Sequence, residues 1–246
     1  MRSVFVGTSG FSYDGWIKNF YPKDLPKTQW LEFYAQHFNS VEINNSFYHL
    51  PKKKTYESWR TRTPDDFRFV IKGSRYITQF LSLIDTEDAV KKFFEPAAAL
   101  DEKLEVVLWQ LPPQLRGDVN RLKDFIAILR KNKIAKRVRH AFEFRHASWF
   151  EKETLEVMKD NNCGFVIAHS NRWPSMEAVT SDFIYLRFHG APQLFYSNYS
   201  YTSLKGWAAK AKKWSRGKDV FAFFNNDAGI FATKNANTLK RLLHGQ

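Results

Sequence analysis

The sequence predicts an α/β protein, a single-domain (β/α)8 TIM barrel over residues 1–246. Three observations carry that expectation. The length, 246 residues, is close to the roughly 250 that such barrels use. Eight short apolar runs recur, most followed by a helix-compatible stretch; strand–helix alternation builds a parallel sheet, and eight units close it into a barrel. No linker-like change of composition divides the chain, so one domain is expected.

The first strand-like run, Val4–Ser9, leads into a long connection, Gly10 to Pro26, rich in aromatics, Gly and Pro. A helix is expected over Thr28–Phe38, then a second strand over Ser40–Phe47. The third strand, Phe67–Gly73, precedes a helix over Thr86–Leu100. The fourth, Glu105–Leu111, precedes one over Asn120–Lys131, and the fifth, His140–His146, one over Glu151–Asn161. After the sixth strand, Gly164–Ser170, the stretch Asn171 to Asp182 is too short for a full helix and two loops. The seventh strand, Phe183–Gly190, and the eighth, Val220–Asn226, are followed by helices over Ser203–Trp214 and Asn235–Leu243. The expected barrel thus has a long first βα loop and a shortened sixth helix region.

Composition narrows the class. At 43% hydrophobic and 26% charged residues the chain reads as globular. No apolar run approaches the roughly 18 residues a membrane span needs, and the strand-like start gives no signal peptide. The single cysteine, Cys163, cannot form an internal disulfide; it reads as a small core residue in a cytoplasmic protein. The aromatic content is high, with 23 Phe and 8 Trp, enough that some rings are expected outside the core, where they can stack on a ligand. A net charge of +13 favours anionic partners. Much of it lies in Lys52-Lys53-Lys54, Arg130 to Arg139 and Lys205 to Lys218, which read either as solvated faces or as a nucleic-acid stripe.

Strand parity locates a candidate site. Alternate residues of a strand face opposite sides of the sheet. In Ile184-Tyr185-Leu186-Arg187-Phe188-His189 the apolar members suit the helix-facing side, which turns Tyr185, Arg187 and His189 inward. The same parity turns Glu143 and Arg145 inward from the fifth strand, and Glu42 and Asn44 from the second. Lys72, Gln110 and Asn225 follow from the third, fourth and eighth. All lie near the C-terminal ends of their strands, where the active sites of such barrels sit. Interior charges must be paired, so Glu42, Lys72, Glu143, Arg145 and Arg187 are expected to form one network. It reads either as a ligand site or as a buried plug of ion pairs.

A set of blocks along the chain carries a family resemblance. They are Gly7-Thr8-Ser9-Gly10-Phe11-Ser12-Tyr13 with Trp16, Phe20-Tyr21-Pro22, and Val41-Glu42-Ile43-Asn44-Asn45-Ser46-Phe47-Tyr48 with Pro51, Trp59, Thr63-Pro64 and Phe67. Gln110-Leu111-Pro112-Pro113, Glu143-Phe144-Arg145-His146 with Ser148-Trp149, Arg187-Phe188-His189-Gly190 and Phe224-Asn225-Asn226 complete the set. From Gly7 to about Leu239 the sequence resembles the domain-of-unknown-function-72 family of bacterial and archaeal (β/α)8 barrel proteins. The resemblance implies the fold and no settled activity. Where the family pattern has Asp near the end of the sixth strand this chain has His169, and where it has small residues before the Phe-Tyr pair this chain has Asn45-Ser46.

Three functions stay open. The first is an enzyme acting on a small anionic or phosphorylated substrate, with Glu42 and Glu143 as general acid and base and Lys72 beside them. With glutamates nearby, the pKa of Lys72 is expected to stay high. Arg145 and Arg187 suit bidentate contact with phosphate or carboxylate. Ser9 lies in a turn whose amides can help hold an anion. Tyr13, Trp16, Tyr48 and Trp149, from loops at the same end, are expected to line the substrate together with Asn44, Gln110, His189 and Asn225. The second is a nucleic-acid-binding or phosphodiester-processing protein, suggested by charge and aromatics. The third is a non-catalytic anion-binding module. No cofactor is expected, with a divalent metal as the alternative. Glu42, Glu143, His169 and His189 are metal-ligand types, but no spaced ligand motif is present, and parity turns His169 outward.

Overall fold

The computed structural model describes residues 2–245. Its strands are β1 (Val4–Thr8), β2 (Ser40–Ile43), β3 (Arg68–Lys72), β4 (Leu104–Gln110), β5 (Arg139–Glu143), β6 (Gly164–His169), β7 (Phe183–Phe188) and β8 (Asp219–Phe224). They form one eight-stranded parallel sheet in the order β1-β8-β7-β6-β5-β4-β3-β2. Its two ends, β1 and β2, meet at a parallel bridge between Ser9 and Glu42, where the Gly10 amide donates to the Glu42 carbonyl at 2.7 Å. The result is the expected TIM barrel.

Alternation along the strands sorts their side chains into two cores. The inner one contains Val70, Val106, Leu108, Ala141, Val166, Ala168, Phe183, Tyr185, Phe221 and Phe223, with Phe5 against it. The outer one lies between sheet and helices and takes Val41, Ile43, Phe142, Phe144, Ile167, Ile184, Leu186 and Phe188. Toward the C-terminal end the inner series runs out of apolar residues, and the inward positions become Glu42, Lys72, Gln110, Glu143 and Arg187, all buried.

The helices are α1 (Trp30–His37), α2 (Asn45–Tyr48), α3 (Lys53–Thr61), α4 (Glu87–Ala97), α5 (Val119–Lys131), α6 (Lys152–Asp160), α7 (Tyr201–Trp214) and α8 (Ala232–His244). In α5 the residues Leu122, Phe125, Ile126 and Leu129 are buried, the spacing of one helix face. The Asp118 side chain caps that helix by accepting from the Arg121 amide at 3.0 Å.

Two departures from the sequence reading matter for the site. The second strand stops at Ile43, because Ser46 Oγ donates to the Lys72 carbonyl at 2.6 Å and the chain winds into α2. That turn lays Phe47 beside Lys72. Helix α3 was not expected at all; it is mostly polar and buries only Tyr56 and Trp59, too little for a clear apolar stripe. The region after β6 is short, as expected, and residues 170–182 contain no helix. Thr180 anchors it, accepting from the Phe165 amide at 2.9 Å and donating to the Cys163 carbonyl at 2.6 Å.

Topology also separates the basic runs. Arg130 to Arg139 joins α5 to β5, and the end of the Lys205 to Lys218 run joins α7 to β8. Both connections lie at the N-terminal end of the barrel, opposite the mouth, whereas Lys52-Lys53-Lys54 begins α3 on the mouth side. No helix among the described residues is long and apolar enough to cross a membrane.

Candidate functional site at the C-terminal mouth

Arg187 on β7 is the hub of the polar layer. Its side chain is 1% exposed, and those of Glu42 and Glu143 are fully buried. Arg187 Nε donates to Glu42 Oε2 at 2.9 Å and Nη2 to Glu42 Oε1 at 2.6 Å, a bidentate pair. Nη1 donates to Glu143 Oε2. Further donors reach both carboxylates. Ser9 Oγ donates to Glu42 Oε1 and the Tyr185 hydroxyl to Glu42 Oε2, both at 2.6 Å. Arg145 Nε donates to Glu143 Oε1 at 2.8 Å. His189 Nε2 lies 3.4 Å from Glu143 Oε2, and its Nδ1 lies 3.1 Å from Asn225 Nδ2.

These contacts set the charge states. Burial pushes the Glu42 carboxyl up, but the charge and hydrogen bonds of Arg187, with Ser9 and Tyr185, outweigh it and hold the group below its ordinary value. Glu143 is held well below it, burial again being overcome by Arg187 and Arg145. Burial drives His189 down to about 4, so the imidazole is neutral. Both glutamates are ionised; among the described residues Glu42 accepts four hydrogen bonds, from Arg187, Ser9 and Tyr185, and Glu143 two, from Arg187 and Arg145.

Above this layer opens a cavity of about 680 Å³. Arg187, Arg145, Lys72, Gln110 and Asn225 form its floor; Tyr13, Phe47, Tyr48, Arg75, Phe195 and Asp227 are among its walls. Arg145 stacks on Trp173, 3.6 Å from guanidinium to ring centre. With Nε committed to Glu143, neither terminal nitrogen of Arg145 has a partner among the described residues. Gly10, at φ +98, makes room for Tyr13, since a Cβ there would lie 2.6 Å from the Tyr13 hydroxyl. That hydroxyl donates to the Ser9 carbonyl at 2.5 Å, which holds the ring over the mouth.

Lys72 departs from the expected network. It is 8% exposed, and among the described residues no carboxylate lies within salt-bridge distance of it; Glu42 and Glu143 are taken by the arginines. Its Nζ sits 4.0 Å from the centre of the Phe47 ring. Burial, then the charge of Arg187, bring its pKa from 10.5 down to about 7, against the partial support of Glu143 and Glu42. The expectation of a high pKa is therefore corrected: the glutamates are near, but two arginines stand closer to them.

The sequence that builds this site matches the family model of the protein of unknown function DUF72 over residues 5–246. The chain belongs to the DUF72 family. It is similar to the UPF0759 protein YunF of Bacillus subtilis, 26% identical over 98% of this chain and 94% of that one. It is also similar to the UPF0759 protein YecE of Escherichia coli K12, 34% identical over 44% of this chain and 38% of that one. Among solved structures, a DUF72 family protein from Thermotoga maritima superposes with a TM-score of 0.88 at 28% identity, covering 99% of this chain and all of the other.

In this DUF72 barrel, Tyr13, Asn44, Tyr48, Lys72, Gln110, Arg145, Arg187 and Asn225 line the cavity, where the sequence placed them. Four expected contacts do not. Trp16 is 1% exposed and packs on Tyr13, Phe20 and Tyr21. Trp149 is fully buried on Phe144, with Nε1 donating to the Leu115 carbonyl at 2.8 Å. Both are core residues of their loops. Ser9 and His189 are fully buried below the floor and act on Glu42 and Glu143 rather than on the cavity. His169 faces outward, against Tyr199, Phe188 and Trp207. Among the described residues no three His, Cys, Asp or Glu side chains gather as a metal site. The structure adds Arg75, three residues beyond the end of β3, and Asp227, three beyond the end of β8. Both sit in βα loops at the C-terminal end of the barrel, a position that marks them only once the strand ends are known.

Proposed function

We propose that this mouth is the active site of an enzyme that acts by proton transfer on a small anionic, phosphorylated substrate. The observation that carries the reading is Lys72, buried in the floor with no carboxylate partner and titrating near neutrality. A lysine tuned to that range by burial is a general base at physiological pH. Arg145 and Arg75, without salt-bridge partners for their terminal nitrogens among the described residues, supply a cationic fork for phosphate. A bound anion in turn stabilises the ammonium formed when Lys72 takes a proton. Glu42 and Glu143 become fixed counter-charges that hold Arg187 and Arg145 in place, because each is ionised and already paired with arginine.

The test is incubation with a panel of sugar phosphates and nucleotides in heavy water, followed by proton and phosphorus NMR. Wild type should convert, or place deuterium into, at least one of them. Lys72→Met should slow this by about 100-fold or more while still binding inorganic phosphate. Undiminished turnover in that variant removes Lys72 as the base.

A second reading is favoured by Tyr48, Tyr76 and Phe80, exposed around Arg75 on the mouth side. Such rings can stack bases of single-stranded nucleic acid. Binding of an oligonucleotide that fades steeply between about 50 and 200 mM salt would move that reading to first place.

A further inference from the structure

Asp227 begins the short turn Asp227–Gly229 after β8. The turn is pinned on both sides. Asn225 N donates to the Phe188 carbonyl at 2.8 Å, Asn226 Nδ2 donates to Ser197 O and Asn235 Oδ1 at 2.9 and 2.8 Å, and Ile230 N closes onto Asp227 O at 2.9 Å. Asp227 thereby lines the same cavity as Lys72. Both of its carboxylate oxygens are shielded from solvent, and neither has a hydrogen-bond partner. Three arginines line that cavity, yet among the described residues none is paired with it.

The ionisable groups that face Asp227 do not help it ionise. Glu42, on β2, opposes a second negative charge. Tyr13, from the first loop, and Tyr34, from α1, are themselves pushed up by burial and stay neutral. An unpaired buried carboxylate is strongly disfavoured, and the group takes a proton instead. Burial, then Glu42, raise its pKa well above the ordinary aspartate value. Lys72, facing Arg187, Arg145, Glu143 and Glu42, is the complementary case.

We propose that Asp227 is the general acid of the site and Lys72 its base, so that the reaction relocates a proton within one bound anion. This rests on the anionic-substrate reading above and specifies its chemistry. Lys72 Nζ takes a proton from a C–H or O–H of the substrate, and the electron pair left behind shifts along the substrate. Asp227 delivers its own proton where that pair arrives. The substrate keeps its proton count, and Lys72 and Asp227 return to their starting states by exchange with solvent. The class of reaction is isomerisation, which needs no oxidant, reductant or second substrate.

Inorganic phosphate and carbon-13 NMR of carboxyl-labelled aspartate test this on wild type, Asp227→Asn and Asp227→Ala. One carboxyl resonance should keep the shift of a protonated acid at a pH where ordinary aspartates are already ionised, and should vanish in Asp227→Asn. Phosphate should bind about tenfold more weakly to Asp227→Ala, the loss of a hydrogen bond to a charged ligand. Asp227→Asn, whose amide still donates, should stay within about threefold of wild type. An Asp227 resonance titrating in the ordinary range overturns the proposal. So does tighter phosphate binding in Asp227→Ala, which is the sign of a like charge removed, or equal binding in all three proteins. Wild type that binds no phosphate sinks the anion-site reading and this one with it. An ionised Asp227 in a protein that does bind phosphate sinks the acid alone.

Discussion

Replacing Lys72 by Met should make the protein more stable. The fold holds this amine at a pKa of about 7 instead of 10.5, a difference equivalent to about 5 kcal/mol of preference for the neutral form. Below about pH 7 the amine is charged in both folded and unfolded chains, and that whole cost is present. Between about 7 and 10.5 the folded chain is neutral there while the unfolded chain still binds the proton, so wild-type stability rises with pH. Above about 10.5 both are neutral and the cost is gone. Phe47, 4.0 Å from Nζ, returns about 1–2 kcal/mol to the cation. Lys72→Met, which removes the charge and keeps most of the volume, should therefore gain about 3–4 kcal/mol at or below pH 7. That is a rise in Tm of roughly 5–15 °C for a chain of this size. Urea unfolding of both proteins at several pH values between about 6 and 10 reads the effect. The gap should shrink as pH rises. A variant less stable than wild type by more than about 1 kcal/mol at pH 7 would show that Lys72 is held by attraction and is charged, and the argument for a base would fail.

Three further outcomes follow from the ion network. Arg187→Met should cost about 3–5 kcal/mol, because it strands Glu42 and Glu143 without their shared cation; the triple change Glu42→Gln, Glu143→Gln, Arg187→Met should recover most of that in the same denaturation assay. Stability from Glu42 and Glu143 is fully present above their unfolded pKa of about 4.3 and is lost as pH falls through their lowered folded values; circular dichroism should place the acid transition of wild type below pH 4.3, and that of the triple variant should be less acid-dependent. Phosphate binding should depend only mildly on salt, since the floor is buried, in contrast with the steep slope of a multi-phosphate surface contact; calorimetry at two ionic strengths distinguishes them.

Barrel and polar floor were legible for one physical reason. With period-two alternation, the apolar Ile184, Leu186 and Phe188 commit β7's outer face, and Tyr185 and Arg187 are then forced inward. Glu42, Glu143 and Lys72 followed by the same logic. What alternation cannot supply is pairing. Two carboxylates and several cations point into one layer, and only three-dimensional distances decide that Arg187 and Arg145 take both glutamates and leave Lys72 without one. The rule also ends where a strand ends. Asp227 and Arg75 lie beyond β8 and β3, so no parity assigned them a side. Trp16 and Trp149 were misplaced because a loop tryptophan can turn toward ligand or toward core, and here Tyr21 and Phe144 offer it the core. Helix α3 was missed because its two buried rings, Tyr56 and Trp59, are outnumbered by polar neighbours.

The claim that the mouth receives a small anion is tested most directly by titrating inorganic phosphate into wild type and Arg145→Met by calorimetry at neutral pH. Arg145 stacks on Trp173 with its terminal nitrogens unpaired over the cavity, so wild type should bind and the variant should lose about tenfold or more in affinity, the worth of a charge-assisted hydrogen bond. Absence of binding to wild type, or equal affinity in the two proteins, would contradict the account and leave the buried ions as a structural plug.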